Sequence, residues 1–504
     1  MSEPGGPHIR ASVERALRDA GFRSPHQIWR SLQRAGLEVS VEELEKVLRR
    51  NPELFVRDRS RPPRWSLAPA SQRDEPRIRS PRTTIDALPP LYPWQTEALS
   101  AWEAGGRRGV VEAVTGAGKT LLGVRAAVDA VSEGRQVVVL VPSTPLLEQW
   151  RQRLQTASPG LRVGLLGGGE RDAVAHHDVV VATVQSAARR KTELSDGSGG
   201  LLVADECHRY AARGFQASLL PDYAWRLGLT ATYARGDDGH HAVLDPYLGG
   251  VVFTLGYERA LREEVIAPFR LRLLGVTLDP QSRDDYDQHV EIAQKVRSNL
   301  ITSGAVPAEP FDVFFRAVLQ LSANNQSALG DSARTYLWAF ERYRRALAEA
   351  PAKLTALAGL HTELEQSDGS LIFTASIRSA EAIKVQLRQS GIIAEAVHSE
   401  LDHADRAVAL SRFASGRTRV LVAPKVLDEG IDVPDANFAV VVAASRTRRQ
   451  MVQRMGRVIR PKPQGGHATF ALLYARDTRE DPASGAHETF LEEATAVAVT
   501  TNYI

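Results

Sequence analysis

The chain has 504 residues, with 63 Lys and Arg against 60 Asp and Glu for a formal charge of +3, a hydrophobic share of 43% and a charged share of 24%. That is the balance of an ordinary water-soluble globular protein with room for three or four units at roughly 100–200 residues each, and its basic excess is too slight to argue for nucleic acid. A single cysteine, Cys207, excludes an internal disulfide and any multi-cysteine zinc site. No run approaches the ~20 apolar residues of a membrane span, and the first ten residues lack a signal-peptide core, so a reducing, cytoplasmic setting is expected.

Residues 1–67 read as a module of their own. Ile9, Val13, Ala16, Leu17 and Ala20 recur at helical spacing; a second helix opens at Ser24-Pro25 and ends at Gly36; a third opens on a capping box, Ser40 to Glu43, with Leu44, Val47 and Leu48 on one face. Two strand-like pieces, Leu54–Val56 and Arg64–Leu67, flank a tip containing Arg57, Arg59 and Arg61. Three helices and a basic hairpin resemble a winged helix-turn-helix. Two readings stand: contact with duplex DNA through Arg57, Arg59, Arg61 and Arg64, or a protein-docking or autoinhibitory module of the same shape.

Residues 68–89, rich in Pro, Arg and Ser, read as a linker. From residue 90 onward short β-rich runs alternate with helical periodicity: Val110-Val111, Gln136–Val141, Asp178–Ala182, Leu201–Ala204 and Leu227–Leu229, with helices at Thr120–Ser132 and Pro145–Thr156. A second series follows at Leu371–Phe373, Ile392–Val397, Arg419–Val422, Ala439–Val442 and Thr469–Leu473. Strands alternating with helices predict α/β architecture, two doubly wound parallel sheets, in domains spanning 90–262 and 263–480. Residues 284–350 are helical without strand signal and read as an insert; residues 481–504 carry no readable pattern.

Ala113-Val114-Thr115-Gly116-Ala117-Gly118-Lys119-Thr120 follows a strand and precedes a helix, the context of a phosphate-binding loop. Its glycines let backbone N–H groups face phosphate oxygens, Lys119 suits the β- and γ-phosphates of ATP, and the Thr120 hydroxyl suits Mg²⁺. Leu201–Ala204 ends in two adjacent carboxylates at the strand edge where open α/β sheets bind ligands. Asp205 is the metal-holding candidate and Glu206 the base for an attacking water. His208 either couples hydrolysis to motion or caps a loop, and Cys207 reads as packing. A predicted helix carrying Gln453, Arg454, Arg457 and Arg460 presents guanidinium groups suited to bidentate phosphate contact.

Asp205-Glu206-Cys207-His208, Thr230-Ala231-Thr232 and Gln453–Arg460 resemble motifs II, III and VI of helicase superfamily 2, and with Gln95 in Leu91–Gln95 they occur in that family's order. Ala113, where the strict loop pattern has glycine, is a common departure there. The segment Val426–Asn437 resembles motif V of the XPB-type branch, archaeal and bacterial. The resemblance spans about residues 90–475 and implies two RecA-like motor domains enclosing Mg-ATP. It implies nucleotide contact by Gln95, Thr115, Gly116, Ala117, Gly118, Gly430 and Asp432, and arginine fingers at Arg457 and Arg460 with Gln453 near the γ-phosphate. Pro142-Ser143-Thr144 and Thr183-Val184-Gln185-Ser186 match motifs that hold the sugar–phosphate backbone, a contact that reads no sequence; Ser143 and Thr144 also suit a helix cap. Thr230 and Thr232 fall between the nucleotide and nucleic-acid sides.

The implied activity is a nucleic-acid-stimulated ATPase moving 3′ to 5′ on DNA in repair, recombination or defence, with a nuclease as the partner class and the insert as a DNA-gripping thumb. Arg235-Gly236-Asp237-Asp238 replaces the family's Arg-Glu-Asp, which favours a duplex translocase that does not separate strands. A DNA-binding regulator switched by ATP is the rival from another class, and RNA suits the same backbone-binding motifs. Phe311, Phe314 and Phe315 suit either base stacking or the insert's core, with core favoured.

Overall fold

The computed structural model describes residues 12–13, 16–17, 23–35, 39–50, 55–57 and 64–67, then 89–190, 192–194, 199–233, 239–324, 327–424, 436–442, 448–456, 458–459 and 466–504. Outside them lie Arg59, Arg61, the linker 68–88, Arg235–Asp238, Gly430, Asp432, Arg457 and Arg460, while Arg57 and Gln453 are described in backbone only. The chain divides into two compact units, Met1–Pro81 and Arg82–Ile504. Among the described residues no helix is long and apolar enough to cross a membrane.

In the N-terminal unit, Ser24 and Gln27 cap the helix Pro25–Arg34 reciprocally, and Ser40 and Glu43 do the same for Val41–Arg50. Strands β1 (Phe55–Arg57) and β2 (Trp65–Leu67) pair antiparallel, and the main chain of Arg23 bridges to Trp65. Arg57 pairs with Trp65 and so belongs to the strand rather than to the hairpin tip. Val13, Leu17, Ile28, Leu32, Leu44, Leu48, Phe55 and Trp65 form the unit's core.

The larger unit holds two sheets. The first comprises β3 (Arg108–Ala113), β4 (Val137–Val141), β5 (Val163–Gly167), β6 (Glu170–Arg171), β7 (Val179–Thr183), β8 (Leu201–Asp205), β9 (Trp225–Thr230) and β10 (Val251–Leu255), in the order β10-β3-β9-β8-β4-β7-β5-β6. All its pairs are parallel except β5–β6. Every residue of β4, β7 and β8 is buried. Helices cover both faces of a parallel sheet, so its central strands read as continuous apolar runs, each fully buried Val or Leu contributing roughly 1.5–3 kcal/mol.

The second sheet comprises β11 (Phe269–Val276), β12 (Ser370–Thr374), β13 (Ala394–Ala396), β14 (Val420–Pro424), β15 (Phe438–Val441), β16 (Ala468–Ala475) and β17 (Thr500–Tyr503), in the order β13-β14-β12-β15-β16-β11-β17 and parallel throughout. The patternless residues after 480 thus supply a helix, Glu488–Val497, and the edge strand β17.

The insert is three helices, Pro280–Thr302, Phe311–Ser322 and Ala328–Ala348, with its own core around Tyr286, Phe314, Tyr336, Phe340 and Tyr343. Phe314 is fully buried, and Phe315 packs 5.8 Å from Phe311 and 5.1 Å from Phe340, so these rings are core. The helix carrying Gln453 and Arg454 spans only Arg448–Met455, shorter than the sequence pattern predicts. Arg454 is buried over the Phe373 ring at 5.1 Å, which makes it a packing residue of its own domain.

Gly123 lies inside the helix Lys119–Ser132, where alanine ordinarily adds about 1 kcal/mol of helix stability. Here a β-carbon would meet Trp150 Cη2 at 2.6 Å and Leu229 Cδ1 at 2.9 Å. Gly123→Ala is therefore expected to destabilise the chain by about 1–3 kcal/mol, read as a lower Tm, instead of raising it.

Candidate active site

The order of the first sheet brings the sequence-predicted residues to one edge. At the C-terminal ends of neighbouring strands stand the phosphate loop after β3, Thr230 on β9, Asp205 on β8, Ser143 after β4, Thr183 on β7 and Gly167 on β5. The half of that edge carrying the phosphate loop and the half carrying Ser143, Thr183 and Gly167 meet between β8 and β4.

Gly116 and Gly118 have φ of 89° and 88°, left-handed conformations that glycine adopts without strain. Gly118 caps the helix Lys119–Ser132, whose free N–H groups face the loop. Gln95 is fully buried; its Nε2 donates to the Gly118 carbonyl at 3.0 Å and its Oε1 accepts from the Tyr92 N–H at 2.9 Å, so it buttresses the loop from behind. Lys119 Nζ donates to the Ala113 and Val114 carbonyls at 2.7 and 3.3 Å. Burial lowers its pKa, opposed by the charges of Glu206 and Asp205. Thr115 Oγ1 is buried with no hydrogen-bond partner, and Thr120 follows Lys119 in the first helical turn.

Asp205 closes a strand that is otherwise apolar. Burial and the Glu206 charge push its pKa up to about 6, against the lowering effect of its hydrogen bond from Trp150. Trp150 Nε1 donates to Oδ2 at 2.8 Å and the Glu206 N–H to Oδ1 at 3.1 Å. Trp150 was not legible as a site residue, because a tryptophan at helical spacing reads as core. Glu206 has φ +52°, a left-handed conformation uncommon for any side chain other than Asn or Asp. Its Oε2 lies 3.5 Å from His208 Nδ1, too long for a good hydrogen bond, and is buried with no other partner. A buried carboxylate held by two donors, beside a second carboxylate whose Oε2 has no hydrogen-bond partner, fits a phosphate-bound cation and an attacking water.

His208 is buried, with Nδ1 2.8 Å from Thr230 Oγ1. Thr230 Oγ1 donates to the Thr232 carbonyl at 3.0 Å and accepts from the Thr232 N–H at 3.2 Å. Its one proton is thus spent, which makes His208 Nδ1 the donor. His208, Thr230 and Thr232 form a hydrogen-bonded chain, with Glu206 beside its first member.

On the other half of the edge, Ser143 occupies the cap position of the helix Thr144–Ala157, yet its hydroxyl makes no cap bond and is buried without a partner. The cap reading of Ser143 therefore fails. Thr144 and Gln185 are exposed, while the buried Thr183 hydroxyl donates to Ser186 Oγ at 2.9 Å. Gly167, Gly168 and Gly169 all have positive φ, and β-carbons on the first two would strike Thr183 Oγ1 at 2.7 Å and Thr144 Cγ2 at 2.6 Å. This bare backbone beside both threonines was missed, although three consecutive glycines after an apolar run were a visible signal.

The second domain reaches the loop through Gly456, the residue after the helix Arg448–Met455. A β-carbon there would lie 2.1 Å from Thr115 Cβ and 3.0 Å from its carbonyl carbon. Only glycine fits this approach.

Lys119→Ala and Glu206→Gln are expected to separate. Hydrogen bonds to charged groups contribute about 1.5–3 kcal/mol, so Lys119→Ala should weaken nucleotide binding roughly 10–100-fold as well as turnover. Glu206→Gln should bind nucleotide as the parent does and lose roughly 10²–10⁴ in hydrolysis rate. Equilibrium binding and single-turnover hydrolysis measured on both variants check this.

Residues 89–235 match the family model for the type III restriction enzyme res subunit, and residues 352–462 match that for the helicase conserved C-terminal domain. The chain is 30% identical over 398 residues to the DNA 3′-5′ translocase XPB2 of Sulfurisphaera tokodaii, covering 77% of this chain and 84% of that protein. It is 26% identical to the DNA 3′-5′ helicase XPB of Mycobacterium tuberculosis, covering 80% and 64%, and 31% identical to a putative DNA 3′-5′ helicase Rad25 of Halobacterium salinarum, spanning 56% of its length. Among solved structures, the Pyrococcus furiosus Hef helicase domain (TM-score 0.52, 18% identity, 78% of this chain and 98% of that one) and Saccharomyces cerevisiae Dbp5 bound to RNA and ADP BeF3 (0.53, 15%, 82% and 90%) share the arrangement of two RecA-like domains. Identity of that extent to a relative covered over most of its length is family membership: the chain belongs to the XPB-type helicases of superfamily 2.

Proposed function

We propose that the chain is a DNA-stimulated ATPase that couples hydrolysis of Mg-ATP to 3′-to-5′ movement on DNA. The observation that carries this reading is the close approach of Gly456 to Thr115, which joins the second domain to a phosphate loop beside Asp205 and the unpartnered Oε2 of Glu206. Mg-ATP, when bound, supplies an electrophilic γ-phosphate whose charge the cation shares. The chain's own residues do the rest. Lys119 exchanges two carbonyl partners for phosphate oxygens, Thr120 and Asp205 hold the cation, and Glu206 takes a proton from water at Oε2. Arg457 and Arg460 enter from the second domain, with Gln453 beside them, so hydrolysis needs a closed cleft. Gly430 and Asp432 belong to the same cleft by their place in the family motif.

Movement follows if both domains hold one backbone while the cleft opens and closes. Ser143, Thr144, Gln185 and the Gly167–Gly169 backbone offer hydroxyl, amide and N–H groups that bind phosphates without reading bases, with Thr183 set beneath them. Two routes join this half to the chemistry: Trp150, whose helix begins at Thr144 and whose indole holds Asp205, and the Glu206–His208–Thr230 chain. A second reading, translocation on duplex DNA without strand separation, is favoured by the Arg235–Asp238 sequence, where Gly236 removes a carboxylate from the family's Arg-Glu-Asp. In the N-terminal unit, the winged-helix reading assigns duplex contact to Arg57, Arg59, Arg61 and Arg64.

One set of assays tests these readings. ATPase activity should rise on adding DNA, and a strand annealed beside a 3′ tail should be displaced while one beside a 5′ tail is not. Stimulation without displacement favours the duplex translocase, and stimulation by RNA alone contradicts the DNA assignment. Removing residues 1–67 should leave basal ATPase intact and flatten the salt dependence of duplex binding by about 0.9 in log–log slope for each phosphate no longer neutralised. An unchanged slope makes that unit a protein-docking module.

A further inference from the structure

Both ends of the helical insert converge on the loop that follows β16. At the entry, Arg283 in the first turn of the helix Pro280–Thr302 donates to the Asp477 carbonyl through Nη1 at 3.0 Å and to the Arg476 carbonyl through Nη2 at 2.9 Å. One turn later Tyr286 Oη accepts the Arg479 N–H at 2.9 Å. At the exit, Lys353 on the helix Pro351–Ala358 has no solvent exposure, and its Nζ donates to Glu480 Oε2 at 2.5 Å and to the Val442 carbonyl, at the end of β15, at 2.9 Å. The loop is stiff, because the Asp481 carboxylate accepts from the Asp477 and Ala483 N–H groups at 2.8 and 2.9 Å.

Beyond the loop the chain runs into the helix Glu488–Val497. That helix buries Phe490, Leu491 and Ala494 in the same core as Met451 and Met455 of the helix Arg448–Met455, which ends at Gly456 against the phosphate loop. His487, at the turn, faces Arg454 and Lys353; burial and those two charges push its pKa down to about 4, so it stays neutral between them. A cavity of about 540 Å³ lies between part of the insert and the loop, with Arg344 and Arg345 on one side and Glu480 and His487 on the other.

A buried ion pair is a weak source of stability compared with packed apolar side chains of the same volume. What Lys353–Glu480 supplies is register, since two charges held by directional bonds fix how the insert's root sits on the loop. We propose that residues 476–487 are a junction transmitting the state of the insert to the helix Arg448–Met455, with Lys353, Glu480 and Arg283 as positioning residues. The proposal rests on the functional reading above, in which nucleic acid engages the motor and Arg457 acts from the second domain.

Coupling between two sites is reciprocal, so it is read as the factor by which a non-hydrolysable ATP analogue changes DNA affinity. For the full chain that factor should fall in the usual range of about 5–150-fold. The double variant Lys353→Met/Glu480→Met keeps the volume and removes both charges; its factor should fall to about one, the value of two uncoupled sites. Its Tm, basal ATPase and nucleotide-free DNA affinity should stay near those of the parent. Arg283→Gln, at a half-buried site outside the ion pair, should lower the factor partway and decides the matter if the double variant does not fold. Retention of the parent's factor by folded variants overturns the junction, as does an equal loss of basal and DNA-stimulated ATPase, which marks a support of the chemistry alone. Absence of any coupling in the parent overturns the functional reading itself, a distinct result.

Discussion

A carboxylate at the end of a fully buried parallel strand has no water to hold it, and the site is built around meeting that constraint. Asp205 terminates β8, whose other residues are apolar and buried, and it is kept by the Trp150 indole N–H and the backbone N–H of Glu206. Losing one of those donors would leave a buried acceptor unsatisfied, at about 1–3 kcal/mol or more for a charged group. Trp150 is fixed in turn by Gly123, since a larger residue there would displace the indole. Glu206 follows with a left-handed backbone, its Oε2 beside His208 and without a hydrogen-bond partner. One hydrogen bond therefore ties the sheet's core, the helix that follows β4 and the reacting end of the molecule together.

The same constraint ties the two halves of the edge together. Trp150 reaches Asp205 from a helix that begins at Thr144, on the other half of the edge, and His208 reaches Thr230 from the turn after Glu206. Displacement of a strand on one half must be felt on the other. The second domain adds its share where Gly456 meets Thr115 at a distance no side chain permits. On the proposed function, a site divided between two domains is complete only when they close, which makes opening and closing steps of the reaction.

The fold was legible where chemistry or burial forces residue types into fixed positions. Val137–Val141 and Leu201–Ala204 are buried on both faces and could be nothing but central strands, and the phosphate loop requires its glycines, lysine and threonine in one order. Strand β11 escaped because Arg270 is exposed and Arg272 partly so, which breaks the apolar run of an otherwise buried strand. Strand β17 escaped because an exposed edge strand carries no apolar signature. Local pattern misled at two places: it extended the Gln453 helix past Gly456, and it offered Ser143 as a cap although its hydroxyl bonds nothing. Trp150, Gly123 and the reason for Gly456 depend on contacts between residues far apart in sequence, and no local spacing announces them.

The central claim is that hydrolysis is completed by a residue of the second domain, and single-turnover kinetics of Arg457→Ala in the presence of DNA tests it most directly. An arginine acting across a cleft contributes about 10³–10⁵ in rate. The account predicts a loss of that order in the hydrolysis step with ATP affinity changed by no more than a few fold, because the contact is made mainly in the transition state. A variant that hydrolyses at the parent's rate, or loses affinity alone, would contradict it.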